Sequence, residues 1–144
     1  MVEVVNLSDY VIWFEDLGIK DVDRVGGKNA SLGEMIRNLS TLGVSVPGGF
    51  ATTAHAYRDF IHQSDLQANI DHSLEQLDVD DVRQLAIVGK QIRQTILDAS
   101  FPPALEEAIR EAYEKLTATN ASLSLAIRSS ATAEDLPDAS FAGQ

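Results

Sequence analysis

Apolar side chains recur along this chain with two different spacings. Tyr10-Val11-Ile12-Trp13-Phe14 is an unbroken apolar run bounded by Asp9 and by Glu15-Asp16, the pattern of a short buried strand over 10–15. Past the Gly26-Gly27 pair the spacing widens. Leu32, Met35, Ile36, Leu39 and Leu42 fall on one stripe of a helix running to about Leu42, and Gly43 is placed to end it in a left-handed conformation. The stretch from Val44 to Phe50 reads as extended chain and a turn, within a second strand segment over 44–52. Thr52 or Thr53 then caps a helix carrying Tyr57, Phe60 and Ile61.

Residues 64–78 are polar and tolerate a helix. Asp78 or Asp80 opens a longer helix through about Asp98, with Val82, Leu85, Ile92 and Ile96 inward. Pro102-Pro103 opens another, in which Leu105, Ala108, Ile109, Ala112, Tyr113 and Leu116 keep a helical period. Its outer face sets Glu106 against Arg110 and Glu111 against Lys115, one turn apart. Near the end, Leu123, Leu125 and Ile127 alternate with Ser124, Ala126, Arg128 and Ser130, which predicts a strand over 123–129 feeding a flexible loop. The fold class that follows is α+β, with few strands and several helices. A sheet of only these three strand segments has open edges, which proteins cover. The sequence also ends inside a loop, at Phe141-Ala142-Gly143-Gln144. It therefore reads as the front part of a longer polypeptide.

Composition narrows the function. With 144 residues, 44% hydrophobic and 23% charged, this is an ordinary soluble globular composition. A formal net charge of −11 counts against nucleic acid or an anionic membrane as partner. The absence of cysteine excludes disulfides, thiolate zinc sites and a thiol nucleophile. No apolar stretch approaches the ~20 residues of a membrane span, and Met1-Val2-Glu3 does not open a secretion signal. A cytoplasmic protein is expected.

An acidic chain that binds an anion must concentrate its few cations, and two positions do so. Lys28 follows Gly26-Gly27 at the start of a helix, where a cation opposes the helix dipole by roughly 0.3–1 kcal/mol. Positions 28, 32, 35 and 39 share a face, so Lys28 is expected to project with Leu32, Met35 and Leu39 toward the protein body. Either its stem covers apolar surface while the ammonium reaches solvent, or an anion binds at the helix start and removes the conflict. The pattern is not a Walker A loop, since Val22 and Asn29 stand where that motif needs Gly and Ser or Thr. Arg128 closes the predicted terminal strand, at the strand end where ligands gather, among small side chains that leave room for one. Its fork of donors suits phosphate, or else it is satisfied by Glu134, Asp135 or Asp138. Gly143 permits close backbone approach, as loops that cover phosphates require. The three acids repel phosphate unless they point away, share a Mg²⁺ with it, or brace Arg128. His55, His62 and His72 are scattered, without a third ligand in view, and no metal site is assigned.

Three blocks in order carry a resemblance: Val25-Gly-Gly-Lys-Asn-Ala-Ser-Leu-Gly-Glu-Met35, Val46-Pro-Gly-Gly-Phe-Ala-Thr-Thr53, and Ala126-Ile-Arg-Ser-Ser-Ala-Thr-Ala-Glu-Asp-Leu-Pro-Asp-Ala-Ser-Phe-Ala-Gly-Gln144. The chain resembles the start of the phosphoenolpyruvate synthase (pyruvate, water dikinase) family, whose wider kin include pyruvate phosphate dikinase and rifampin phosphotransferase. That resemblance implies that residues 1–144 are the N-terminal portion of an ATP-grasp nucleotide-binding domain, with the phosphohistidine and pyruvate-binding domains outside it. In that family ATP donates its β-phosphoryl group to a histidine on a swivelling domain, which passes it to pyruvate. ATP, pyruvate and water become AMP, phosphoenolpyruvate and phosphate, with Mg²⁺, in gluconeogenesis. By position, Lys28 and Arg128 correspond to phosphate-contacting catalytic residues and Gly143 to the covering loop, with Ser129 and Gln144 assigned to the nucleotide beside them. The family's phosphorylated histidine sits in a Thr-Cys-His context that this chain lacks, so none of its three histidines inherits the role. The resemblance further implies a fragment inactive alone, with an oligomer possible through the absent domains. A dikinase with a rifampin or glucan acceptor, or a non-catalytic nucleotide-binding module, are the alternatives.

Overall fold

The computed structural model describes residues 9–63, 66–118, 122–133, 135–136 and 139–140. The chain divides into two compact units, Met1–Tyr57 with Pro103–Gln144, and Arg58–Pro102. Together they give the α+β class: short helices, long ones and minimal strands.

In the first unit, β1 (Val11–Trp13) pairs antiparallel with β2 (Phe50–Thr52), Val11 opposite Thr52 and Trp13 opposite Phe50. Both strands are shorter than the sequence predicts. The apolar run breaks into a 3-10 turn at Phe14–Asp16, because Phe14 N–H bonds across to Gly49 O at 3.0 Å and Leu17 N–H turns back to Phe14 O at 3.2 Å. Trp13 meets Phe50 edge-on with ring centroids 5.7 Å apart. Lys115 places its ammonium 4.8 Å from the Trp13 ring centroid, a cation–π contact.

A second 3-10 turn, Ile19–Asp21, leads into α1 (Val22–Val25) and α2 (Gly27–Leu39). Ser40–Leu42 finish the rod as a 3-10 turn, and Gly43 ends it at φ 77°, as predicted. The face that α2 buries is not the predicted one. Gly27, Ala30 and Gly33 are its buried residues, whereas Met35 and Leu42 are exposed. Small side chains let the 17–21 segment come close. The core that results is Leu17, Val25, Ala30 and Ala51, with Ile12, Phe14 and Val22 packed against it.

Asp21 pins this entry. It is buried, accepts Gly18 N–H at 3.0 Å and the Arg24 guanidinium at 3.0 Å. Burial alone raises its pKa, but the hydrogen bonds from Arg24 and Gly18 outweigh that and hold the carboxyl below its ordinary value. A lowered folded pKa stabilises fully above the unfolded value and is lost as pH falls through the folded one. Asp21→Asn should therefore cost stability at neutral pH. The gap between variant and parent should close in urea titrations from about pH 5 downward; a gap independent of pH would remove the carboxylate from that role.

Thr53 starts α3 (Ala54–His62). Its hydroxyl accepts Ala56 N–H at 3.1 Å and donates to Asp9 O at 2.7 Å, an N-cap that also ties the helix to β1. The other long helix of this unit, α6 (Pro103–Thr117), buries Leu105, Ala108 and Ala112 and pairs Arg110 with Glu106 at 2.5 Å. Tyr113, predicted on the inner stripe, is exposed.

The second unit holds the end of α3, then α4 (Leu66–Glu75) and α5 (Val82–Asp98). Asp81 caps α5, rather than Asp78 or Asp80, by accepting from Arg83 N–H and Gln84 N–H at 2.9 and 3.1 Å. Val82 is 75% exposed and Leu85 is exposed too, while Ile92 and Ile96 are half-buried. A helix paired with one neighbour covers one narrow stripe, so the first turn of the predicted inner face stays open.

The predicted strand over 123–129 does not form. Its backbone finds no ladder among the described residues, and Ile127 is 98% exposed. Beyond it, β3 (Asp135–Leu136) and β4 (Ala139–Ser140) make a small antiparallel hairpin where a flexible loop was expected. No described helix is long and apolar enough to cross a membrane.

Candidate functional site

The turn ahead of α2 is built from a residue that must lack a side chain. Gly26 sits at φ 81° and ψ 161°, outside what L-residues comfortably adopt. A Cβ placed on it would lie 2.2 Å from Ser130 Oγ and 2.8 Å from Ala131 O. The next residue reaches the same strand of chain, with Gly27 N–H donating to Ala131 O at 3.4 Å. The two glycines that precede Lys28 therefore lie directly against the two residues that follow Ser129. Blocks about a hundred positions apart meet through their backbones, so the loops bearing Lys28 and Arg128 share one junction.

The start of α2 carries no acidic side chain that would repel an anion. Gly26, its N-cap, supplies no side-chain hydrogen bond, and its first turn holds no acidic residue. Among the described residues the positive end of the helix therefore meets no carboxylate in its own first turn, and the Gly27 N–H is met only by the Ala131 carbonyl. Asn29, one position past Lys28, is spent on structure, donating to Val25 O at 2.8 Å. Lys28 is exposed and does not join the buried face; the expected inward projection with Leu32, Met35 and Leu39 is corrected, since the helix buries Gly27, Ala30 and Gly33 instead. Arg128 and Ser129 are exposed as well, on the irregular segment leading to the junction. Gly143, Gln144, Glu134 and Asp138 lie outside the described residues, and Asp135 contributes its backbone to β3.

Ser130 was not singled out by its sequence pattern beyond sharing a face with Arg128. Its hydroxyl is shielded from solvent and has no hydrogen-bond partner among the described residues. An unpaired buried hydroxyl costs roughly 1–3 kcal/mol, so this one is retained at a price to the ligand-free fold. A hydroxyl between two phosphate-suited loops leaves no trace in hydrophobic patterning, and only the contact with Gly26 reveals it.

The histidines do not assemble. His55 stacks on Tyr10 with centroids 5.5 Å apart, His62 Nδ1 contacts Arg58 O at 2.6 Å, and His72 pairs with Gln76 at 3.3 Å. Among the described residues no group of three or more His, Cys, Asp or Glu side chains could hold a metal ion. These residues by themselves do not form a Mg²⁺ site.

Comparison with known proteins gives the chain's family. The chain is 62% identical over 137 residues to the phosphoenolpyruvate synthase of Escherichia coli (strain K12), covering 95% of this chain and 17% of that protein. It is 52% identical over 137 residues to the phosphoenolpyruvate synthase of Aquifex aeolicus (strain VF5), covering 93% and 16%. With that of Helicobacter pylori (strain ATCC 700392 / 26695) identity is 46% over 137 residues, covering 94% and 17%. The chain thus spans 16–17% of the length of these relatives. Residues 22–144 match the family described as "Pyruvate phosphate dikinase, AMP/ATP-binding domain"; the match takes in both the Gly26-Gly27-Lys28 turn and the Arg128 segment, and the chain belongs to that family.

Proposed function

We propose that this chain is the N-terminal portion of the ATP-binding domain of a phosphoenolpyruvate synthase. The junction of Gly26-Gly27 with Ser130-Ala131 carries the reading, because it gives two cation-bearing loops one origin beside an uncapped helix start. Lys28, the first-turn amides of α2 and Arg128 form the phosphate-binding set, with Ser129, Gly143 and Gln144 completing the nucleotide's enclosure. Charge develops on the phosphoryl group as it leaves ATP, and fixed cations and amides there stabilise it without reorganising.

In the full-length polypeptide the β-phosphoryl group goes to a histidine on another domain and then to pyruvate, so that ATP, pyruvate and water become AMP, phosphoenolpyruvate and phosphate. On this reading the protein works in the cytoplasm, in gluconeogenesis, with an oligomer possible through other domains. Mg²⁺ belongs to the reaction, but the described residues offer no ligand set for it and no step is routed through it. A rifampin or glucan acceptor and a non-catalytic module are less well supported, as the relatives quoted are phosphoenolpyruvate synthases at 46–62% identity. The test is product analysis by phosphorus NMR. The full-length polypeptide should form AMP and phosphoenolpyruvate only when pyruvate is present, and the isolated chain should form neither. Pyruvate-dependent AMP from the isolated chain, or none from the full-length polypeptide, contradicts the assignment.

A further inference from the structure

We infer that Ser130 is a positioning residue for the nucleotide's phosphates, acting through the Gly26-Gly27 turn; the inference rests on the phosphate reading above. Its hydroxyl is closed off from solvent and unpaired among the described residues. It crowds the point where a Cβ on Gly26 would lie, 2.2 Å away, and Ala131 O crowds the same point at 2.8 Å. That carbonyl is the acceptor of the Gly27 amide, over a long 3.4 Å. Gly27 is the first residue of α2, and an amide there is what a phosphate at a helix start recruits. When a phosphate draws the Gly27 N–H away, the Ala131 carbonyl loses its donor, and the hydroxyl of the adjacent residue, Ser130, is the group expected to turn and replace it. Binding then trades one unpaired hydroxyl and one long bond for two satisfied groups. Alanine fills the same space with less crowding, so packing alone gives no reason for the hydroxyl.

The experiment compares Ser130→Ala with the parent in the full-length polypeptide, reading both the dissociation constant for ATP by calorimetry and the ligand-free urea midpoint. The expected result is ATP binding weaker by about fivefold or more, the loss of roughly one hydrogen bond, with the midpoint unchanged or higher. Unchanged affinity overturns the inference. So does a midpoint that falls together with affinity, since Ser130 is then merely structural. Lys28→Ala and Arg128→Ala run alongside: if both bind ATP like the parent, the phosphate reading fails and takes this one with it. If they bind weakly while Ser130→Ala does not, only the role of Ser130 is lost. Hydrogen exchange on the unmodified protein needs no variant to fold; the Gly27 amide should become more protected when ATP is added, and unaltered exchange there also overturns the inference.

Discussion

Arg128→Ala in the full-length polypeptide is expected to slow phosphorylation of the carrier histidine by ~10²-fold or more. The expected size follows from what one preorganised charge contributes at a transferring phosphoryl group, which is the largest kind of single-residue effect in such chemistry. Arg128 sits on the segment that meets the Gly26-Gly27 turn, and a guanidinium is a planar fork of donors suited to phosphate oxygens. Arg128→Lys keeps the charge and loses the fork, so its rate should fall between parent and alanine variant. Two controls make the reading specific. Arg128 is exposed, so folding stability should change by less than about 0.5 kcal/mol. The second half-reaction, label exchange between pyruvate and phosphoenolpyruvate on a phosphorylated enzyme, should proceed as in the parent, because the proposed role of Arg128 is confined to the nucleotide. Single-turnover transfer from ATP labelled in the β-phosphate measures the first step. A parental rate removes Arg128 from the site, and an equal loss in both half-reactions means the damage is not at the nucleotide.

What was readable in the sequence follows from how local each signal is. The period of α6 places Leu105, Ala108 and Ala112 inward, and they are buried; a helix carries its own hydrogen bonds, so spacing suffices to find it. Gly43 and Thr53 were legible for the same reason, each ending or starting a helix through its own backbone or hydroxyl. The segment over 123–129 failed because alternation describes a strand's faces and says nothing of its partner. Without a ladder among the described residues it forms no strand, and Ile127 points to solvent. The cap of α5 slipped by a residue or more because Asp78, Asp80 and Asp81 all suit the position, and only the contacts to Arg83 and Gln84 select Asp81.

The candidate site divides along the same line. Lys28 and Arg128 are large, charged and odd for their surroundings, so sequence reasoning finds them. Their common junction depends on a close approach between Gly26 and Ser130, which is a tertiary contact between two unremarkable small residues. α2 repeats the lesson on its buried face. Hydrophobic patterning weights Leu32, Met35 and Leu39 and ignores Gly27, Ala30 and Gly33, yet the latter face the core because they take up so little room. Small residues are read as gaps in a pattern when they are in fact the contact.

That contact makes Gly33→Ala the stability change with the largest expected effect. Two terms of opposite sign compete. Alanine in a helix interior is better than glycine by about 1 kcal/mol, which favours the variant. Against it, a Cβ at position 33 would lie 2.5 Å from Leu17 O and 2.6 Å from Leu17 Cβ. Leu17 cannot step aside cheaply. It is fully buried, its N–H bonds to Phe14 O at 3.2 Å, and its carbonyl accepts the Arg37 guanidinium at 3.1 Å. Moving it drags the Phe14–Asp16 turn and disturbs its contacts with Val25, Ala30 and Ala51. Overpacking against fixed backbone costs about 1–3 kcal/mol and occasionally more, so the clash should win and the variant should lose about 1 kcal/mol net, up to about 2. Urea unfolding should report a lower midpoint with an unchanged slope. Gly48→Ala is the matched control, because a Cβ there meets nothing within 4 Å, and its stability should stay within about 0.5 kcal/mol of the parent. A Gly33→Ala midpoint at or above the parent's would mean that helix propensity outweighs the approach of Leu17, and that the small-residue face of α2 is not what closes this core.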